Sequence, residues 1–445
     1  MKNVKREMNF YSIYDRQGLQ KHLEEMAAKG WMLDKMGQYI WYYRRTEPRK
    51  LQFAVSYFPS ASVFDPMPSE KQETYREFCE HAGWKLAGSS AQMEIYWNEN
   101  ENAVPLVTDP LVEIETIHKT AKKTVVLSNV LLLGIAIMNV CRIVSFYRNN
   151  TISALLSTSE LWMIIMFVMA GFFCLSELVC YFKWYLKAKK VAKLDESFLE
   201  TKSRYHATKR FLLSLVLLFA LGFLGFMIEQ SFLVGAVIIG YTLLIFAIVF
   251  GIKELLKENL VSAKANRIIT FVSCFVITMV VTSVATIFLF RVVTANNSDI
   301  SEADLPLCLE DLIEMDNTKY SCYIDEKDSI FLRKVYVRQD KIYYEDEGPE
   351  LAYSILDVKI PAVYDICLEY YLRDAGKYNS DINYKEIQDA NWNAERVYQL
   401  FDKTTAYDSY LLCYDEQIVS VTLYYFDTNE NPDFAKIISE KLKPN

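Results

Sequence analysis

Only four of the 445 residues are histidine, and none of the nine cysteines stands in a Cys-x-x-Cys pair. That scarcity removes the common zinc and iron–sulfur ligand sets, which need such groups at short fixed spacings. Gly-rich phosphate loops, a Gly-x-Ser-x-Gly elbow and a His-Glu-x-x-His helix are also missing, so no pattern supports phosphoryl transfer, acyl transfer or metal-assisted hydrolysis. An enzyme is not expected, nor a cofactor or metal. Fourteen glycines and eleven prolines are too few for a fibrous or low-complexity chain. Met1–Asn9 is polar with no apolar run behind it, so no cleavable export signal is expected.

The chain instead holds five apolar stretches, Val125–Tyr147, Glu160–Phe182, Phe211–Ile228, Phe232–Ile252 and Ile268–Arg291. A hydrocarbon core of about 30 Å takes about 20 apolar residues as helix, and each stretch comes close to that. Only helix satisfies the backbone of such a segment internally. Glu229, Gln230 and Ser231 alone separate the third and fourth, which predicts a tight helical hairpin.

Net charge divides the chain into three regions: −3 over residues 1–118, +11 over 119–291 and −16 over 292–445. The bases of the middle region concentrate ahead of the first stretch, in the 183–210 connection and in 253–267; the other two connections hold Arg148 alone and no base. Basic connections face the cytoplasm. Residues 1–118 are therefore expected inside and, after five crossings, residues 292–445 outside. The lysines beginning at Lys183 also suit a helix running onto an anionic inner leaflet, although topology alone explains them.

Within 1–118 two segments repeat a pattern. Helical residues lead into Ala27-Ala28-Lys29-Gly30-Trp31-Met32-Leu33 and into Glu80-His81-Ala82-Gly83-Trp84-Lys85-Leu86, so that Gly30 and Gly83 close helices and Trp31 and Trp84 start strands. Alternation marks strands at 39–43, 51–57 and 93–97, with Arg45–Lys50 as a hairpin connection between the first two. With Asn9–Ile13 as an opening strand, the order becomes β-α-β-β-α-β, the ferredoxin-like sandwich.

These residues, with Phe10-Tyr11-Ser12-Ile13, the aromatic strand ending at Trp97 and a trailing Leu106-Val107-Thr108-Asp109, resemble the bacterial domain-of-unknown-function family numbered twenty-eight twelve, over about residues 8–118. The family often has Tyr where Val107 stands. The resemblance implies a polytopic membrane protein of a Gram-positive bacterium, often encoded near a PadR-type repressor, and it implies no catalytic residue. Aromatic strands beside Arg44, Arg45, Arg49 and Lys50 would also describe a single-stranded RNA platform. The domain is net acidic and lacks an RNP-like motif, so a core with a solvated hairpin tip is preferred and no nucleic acid is expected.

Few polar groups lie in the apolar stretches. Arg142 and Glu160 sit where they can pair at the outer interface, and Glu177 lies near the inner end of the second stretch, within reach of Lys183. Transport needs ionisable groups at mid-depth, and these sit nearer the ends, so anchoring is preferred. Ser231, Gly235, Ala236 and Gly240 form two small-xxx-small pairs, read first as packing within the bundle and second as a homodimer seam.

Residues 292–445 read as an α+β domain behind a polar tether at 296–299. Strands are expected at Lys319–Ile324, Ile330–Gln339, Lys341–Tyr344, Asp408–Tyr414 and Ile418–Phe426, and helices at Val363–Arg373, Asn391–Phe401 and Asn431–Leu442. The acidic runs Asp325–Asp328 and Glu345–Glu347 lack the spacing of a calcium loop. Cys308, Cys322, Cys367 and Cys413 read as buried thiols, with three pairings open.

The expected whole is a polytopic α-helical membrane protein of five transmembrane helices, with an N-terminal ferredoxin-like α+β domain and a C-terminal extracytoplasmic α+β domain. The expected role is a non-enzymatic sensor of the plasma membrane, contacting lipid, a cytoplasmic protein and an outer ligand. A transporter or efflux accessory is the alternative.

Overall fold

The computed structural model describes residues 4–9, 11–37, 40–100, 102–195, 199, 204–230, 232–295, 305–313, 320–341, 349–377, 379–388, 390–426 and 433–443. The chain divides into two compact units, Met1–Val140 with Met163–Ala295, and Cys141–Trp162 with Asn296–Asn445.

The first unit begins with one arrangement made twice. β1 (Val4–Met8), α1 (Arg16–Ala28), β2 (Trp31–Met36) and β3 (Ile40–Arg45) give an antiparallel sheet in the order β1-β3-β2. β4 (Gln52–Tyr57), α2 (Glu70–His81), β5 (Lys85–Ser90) and β6 (Met93–Asn98) give a second in the equivalent order β4-β6-β5. The pairing thus differs from the single sheet expected. The opening strand ends at Met8, because Ser12–Asp15 is needed as a turn that lets the Asp15 carboxylate cap α1 by accepting from Gly18 N at 3.2 Å. Nor is 45–50 a hairpin. Its backbone crosses the end of α1, where Thr46 N donates to Gly30 O at 3.0 Å and Arg49 N to Ala27 O at 3.1 Å. Carbonyls at the end of α1 thereby gain donors, and the chain passes from one sheet to the next.

One core serves both sheets. Leu19, Leu23 and Met26 of α1 pack with Leu33, Trp41 and Tyr43 of the first sheet and with Phe53, Val55 and Ile95 of the second. A smaller cluster under α2 joins Cys79, Ala54, Trp84 and Tyr96.

Gly30 and Gly83 hold φ of +79° and +83°, the left-handed angles that close α1 and α2. Their surroundings differ. A Cβ at Gly30 would stand 2.7 Å from the Thr46 carbonyl oxygen, whereas one at Gly83 would meet nothing nearer than Asn98 Nδ2 at 3.5 Å. Gly30→Ala is therefore expected to cost about 2–3 kcal/mol and Gly83→Ala about 1. Thermal unfolding in detergent checks the difference, and equal losses would show that the Thr46 contact adds nothing.

Next come α3 (Pro110–Ala121), which passes through a π-helical turn at Lys122–Val126 into α4 (Leu127–Asn149), then α5 (Thr151–Leu156), α6 (Thr158–Asp195), α7 (Arg204–Gln230), α8 (Phe232–Glu258) and α9 (Ala263–Ala295). Among the described residues four helical runs are long and apolar enough to cross a membrane: Pro110–Asn149, Thr158–Leu194, Gly235–Glu258 and Ala263–Phe288. Their apolar side chains face outward, as at Phe246 and Phe271. That suits hydrocarbon as solvent. Within α7 the apolar stretch Leu212–Gly225 is shorter.

In the second unit β7 (Tyr320–Asp328), β8 (Leu332–Lys341), β9 (Glu350–Val358), α10 (Tyr364–Asp374), β10 (Ile382–Ile387), β11 (Arg396–Asp402), β12 (Thr405–Cys413), β13 (Gln417–Tyr424) and α11 (Asp433–Leu442) build a seven-stranded antiparallel sheet, ordered β10-β11-β12-β13-β9-β8-β7. Period-two alternation supplies a core on each face. Tyr410 and Leu412 of β12 join Val419 and Val421 of β13 and Phe434 and Ile438 of α11. Leu411 and Cys413 point the other way, to Leu332, Leu356, Cys367 and Leu368, and this second core takes in Ile152 and Leu156 of α5.

The helix expected at 391–401 is a single 3-10 turn at Ala390–Trp392 followed by β11. Asn393 adopts φ +43°, which stops a helix, and the β-branched and aromatic residues beyond it pair on both sides with β10 and β12. Of the expected strand at 341–344, Lys341 ends β8 and the rest lies outside the described residues, as do the tether at 296–299 and Glu345–Glu347.

Candidate functional site

The two Gly-Trp turns differ in how they use the indole. Trp84 is buried and its indole N–H donates to Val104 O at 3.1 Å, fixing the chain that leaves the second repeat. Trp31 is half-buried, with the Arg45 guanidinium 5.0 Å over its ring. Arg45 also donates to Lys29 O at 3.1 Å, so it braces α1 instead of facing a ligand.

Under α2 lies a polar network that the sequence did not reveal. Glu94 on β6 is fully buried, and its Oε1 accepts from Arg76 Nε at 3.0 Å, Arg76 Nη2 at 2.6 Å and Gln72 Nε2 at 3.3 Å. Its Oε2 accepts from the Tyr96 hydroxyl at 2.6 Å. Burial pushes the neighbouring Cys79 thiol up to about 11, so it stays protonated and unreactive at neutral pH. A carboxylate enclosed and fully engaged in this way organises a core and does no chemistry on a ligand.

An accessible feature of this domain is a cleft of about 340 Å³ to which both sheets contribute. Met32 and Leu33 of the first sheet and Leu86, Ala87 and Trp97 of the second line it, with Leu51 just ahead of β4. Arg44, Arg49, Asp34 and Glu47 also line it. The ion pairs Arg44–Asp34 and Arg49–Glu99 are both 3.7 Å apart and exposed. Pairs of that kind hold weakly, so the guanidiniums can turn to an incoming acidic group. An apolar lining with a few polar groups at the edge suits an apolar side chain of a partner flanked by a carboxylate. Of the four bases grouped in sequence, Arg44 and Arg49 reach the cleft.

A second feature joins this domain to the apolar helices. Asn266, near the start of α9, is fully buried; its Nδ2 donates to Lys253 O of α8 at 3.2 Å and to Phe64 O at 3.4 Å, and its Oδ1 accepts from Thr270 at 3.0 Å. Arg267 donates to Ser62 Oγ at 3.3 Å, and Lys123 to Pro59 O at 2.9 Å. The loop between β4 and α2 is thus tied to α8, to α9 and to the turn that opens α4. Asn266→Leu leaves two carbonyls and a hydroxyl short of a partner and is expected to cost about 1–3 kcal/mol. Hydrogen exchange at residues 58–68 should speed up while β9 and β13 are unchanged; unchanged exchange in the loop would mean the other ties suffice.

In the apolar helices, Arg142 Nη2 stands 3.3 Å from Glu160 Oε2. Glu177 is buried. Gly235 is buried, but Ala236 and Gly240 are exposed, and a Cβ at Gly240 would meet nothing within 4 Å. Ser231 lies outside the described residues.

Residues 15–129 match the DUF2812 family model, described as a protein of unknown function. No curated protein and no solved structure matches the chain. The DUF2812 match covers both repeats, α3 and the turn leading into α4, so it includes Lys123 of the joint. α3 packs against the repeats: Ile117 and Ala121 belong to their core, and Arg16 of α1 pairs with Glu113 of α3 at 2.8 Å.

In the second unit the acids of the run Asp325–Asp328 are matched by bases. Asp325 pairs with Lys327 at 2.9 Å, Glu326 with Arg333 at 2.8 Å, and Asp328 with Lys359. Among the described residues no three His, Cys, Asp or Glu side chains are placed to share a metal ion. Of the four cysteines beyond residue 292, Cys367 and Cys413 are buried and Cys308 and Cys322 partly buried.

Proposed function

We propose that the chain is a non-enzymatic sensor or regulatory protein of the bacterial plasma membrane. The DUF2812 domain would bind a cytoplasmic protein through the cleft between its two sheets, and the C-terminal sheet domain would respond to a ligand outside the membrane. The observation that carries this reading is the joint at Asn266, Arg267 and Lys123, a set of directional bonds between the DUF2812 domain and helices long enough to cross a bilayer. A domain merely tethered to a membrane needs no such ties.

The orientation, with the N-terminus cytoplasmic and residues 292–445 outside, follows from the Lys and Arg asymmetry and requires α7 to be a fifth span. The apolar part of α7, Phe211–Ile228, is about 27 Å long as helix, close to the thickness of a hydrocarbon core. A ferredoxin-like reading is carried by the halves, since each β-α-β-β unit with its first-third-second strand order has the connectivity of part of that sandwich.

To test the function, the full chain and a version lacking residues 300–445 are crosslinked in their native cells, and the cytoplasmic proteins recovered with each are compared. A partner held by the full chain and altered by the deletion is expected. Recovery of the same proteins in the same amounts, with neighbouring genes transcribed equally, would sink the proposal.

A further inference from the structure

Between β4 and α2 the chain makes two tight turns closed by its own hydrogen bonds. Ala61 N donates to Phe58 O at 3.1 Å, Asp65 N to Ser62 O at 3.1 Å, and Ser62 N to Asp65 Oδ2 at 2.6 Å. The loop is braced by these bonds, and it presents Val63 and Met67 outward, 45% and 59% exposed. Apolar side chains held out on a braced turn between prolines cannot withdraw into a core, which marks a contact surface.

What covers them follows from where the loop is fastened. Lys123, which holds Pro59, precedes α4 by four positions, and Arg267, which holds Ser62 and lies 5.7 Å over the Phe64 ring, is followed directly by the apolar Ile268 and Ile269 of α9. Both attachments thus stand where long apolar helix surfaces begin. At that level a bilayer changes from headgroup to hydrocarbon. Lys123 and Arg267 are themselves exposed, and each uses only part of its donor capacity on the loop.

We propose that residues 58–68 dock on the surface of an anionic phospholipid bilayer. Val63 and Met67 enter the boundary of the acyl chains, and Lys123 and Arg267 meet headgroup phosphates beside them. The loop is then the point at which lipid composition acts on the DUF2812 domain. Cations next to short apolar anchors bind anionic leaflets in this way. The proposal rests on α4 and α9 crossing the membrane, and its test separates the two ideas.

The full chain is placed in nanodiscs of phosphatidylcholine containing one quarter phosphatidylglycerol, with the photoreactive residue p-benzoylphenylalanine replacing Val63, Met67, Phe78 or Phe271. Phe78 is an exposed position of α2, and Phe271 an exposed position of α9. After irradiation and digestion, lipid adducts are counted by mass spectrometry. Adducts at 63 and 67 are expected to exceed those at 78 by about fivefold or more, with phosphatidylglycerol above its quarter share. Lys123→Gln combined with Arg267→Gln should return that share to a quarter. Adducts at 271 but no excess at 63 or 67 would overturn the proposal alone, as would crosslinks at 67 to protein instead of lipid, or an unenriched phosphatidylglycerol share. A chain unlabelled at 271 as well would overturn the membrane-spanning reading with it.

Discussion

Glu94→Ala is expected to destabilise the DUF2812 domain by about 3–5 kcal/mol, the range for removing one partner of a buried ion pair. The loss exceeds that of the hydrogen bonds themselves, because the remaining partners cannot all return to water. Tyr96, at 1% exposure, keeps a hydroxyl that has lost its carboxylate acceptor, Gln72 at 5% keeps an amide, and Arg76 keeps a guanidinium whose side chain is 27% exposed. Glu94→Gln retains the volume and one acceptor, so it should lose less. Cys79 provides the readout in the full-length protein: it lies in the same cluster and is fully buried, so an alkylating reagent reaches it only when the cluster opens. Peptide mass spectrometry should find Cys79 alkylated much faster in Glu94→Ala than in wild type, with Cys413 unchanged. Equal rates would mean that the ion pair contributes little net stability.

The second large effect is expected in the other unit. Leu411 is fully buried on the interior strand β12, among Leu332, Leu356, Cys367 and the α5 residues Ile152 and Leu156. Leu411→Ala should cost about 2–5 kcal/mol, from lost transfer energy plus the cavity left behind. Because α5 is short and sits on this cluster, it should loosen with the sheet. Limited proteolysis is expected to cut within residues 149–158 at lower protease concentration, and peptides of β4 and β6 should keep their wild-type protection. A cut confined to the sheet would show that α5 is held mainly by other contacts, such as the Arg373 donor to Arg148 O at 2.8 Å.

Local signals in the sequence carried well where one residue sets one geometry. Gly30 and Gly83 close helices because the left-handed angle is available to glycine almost alone, and that is visible without a fold. Long apolar runs are similarly self-declaring. Pairing was less legible. Residues 46–50 read as a hairpin because polar residues between two strands usually are one, yet their amides were needed at the end of α1, a requirement that exists only once the helix is in place. β9, Glu350–Val358, has buried residues on both faces, so the alternation that marks a half-buried strand is faint there. Of the candidate site, the Arg cluster was legible and the cleft was not, because its opposing linings come from strands some fifty residues apart in sequence. Glu94 sits in an alternating strand where a carboxylate reads as solvent-facing. Its burial depends on Arg76 arriving from α2, and nothing in Met93–Trp97 announces that.

α5 gives the C-terminal domain a history. Ile152 and Leu156 complete the core around Leu332 and Leu411, but the ribosome makes them long before that sheet exists. During synthesis the short helix must wait with its apolar side unburied until the last strands arrive, and the distant pairing makes this step slow. The same logic sets the boundary of any recombinant fragment. A piece beginning at residue 296 would expose the seat that α5 normally fills, and one that also carries 150–157 on a linker should be the more soluble.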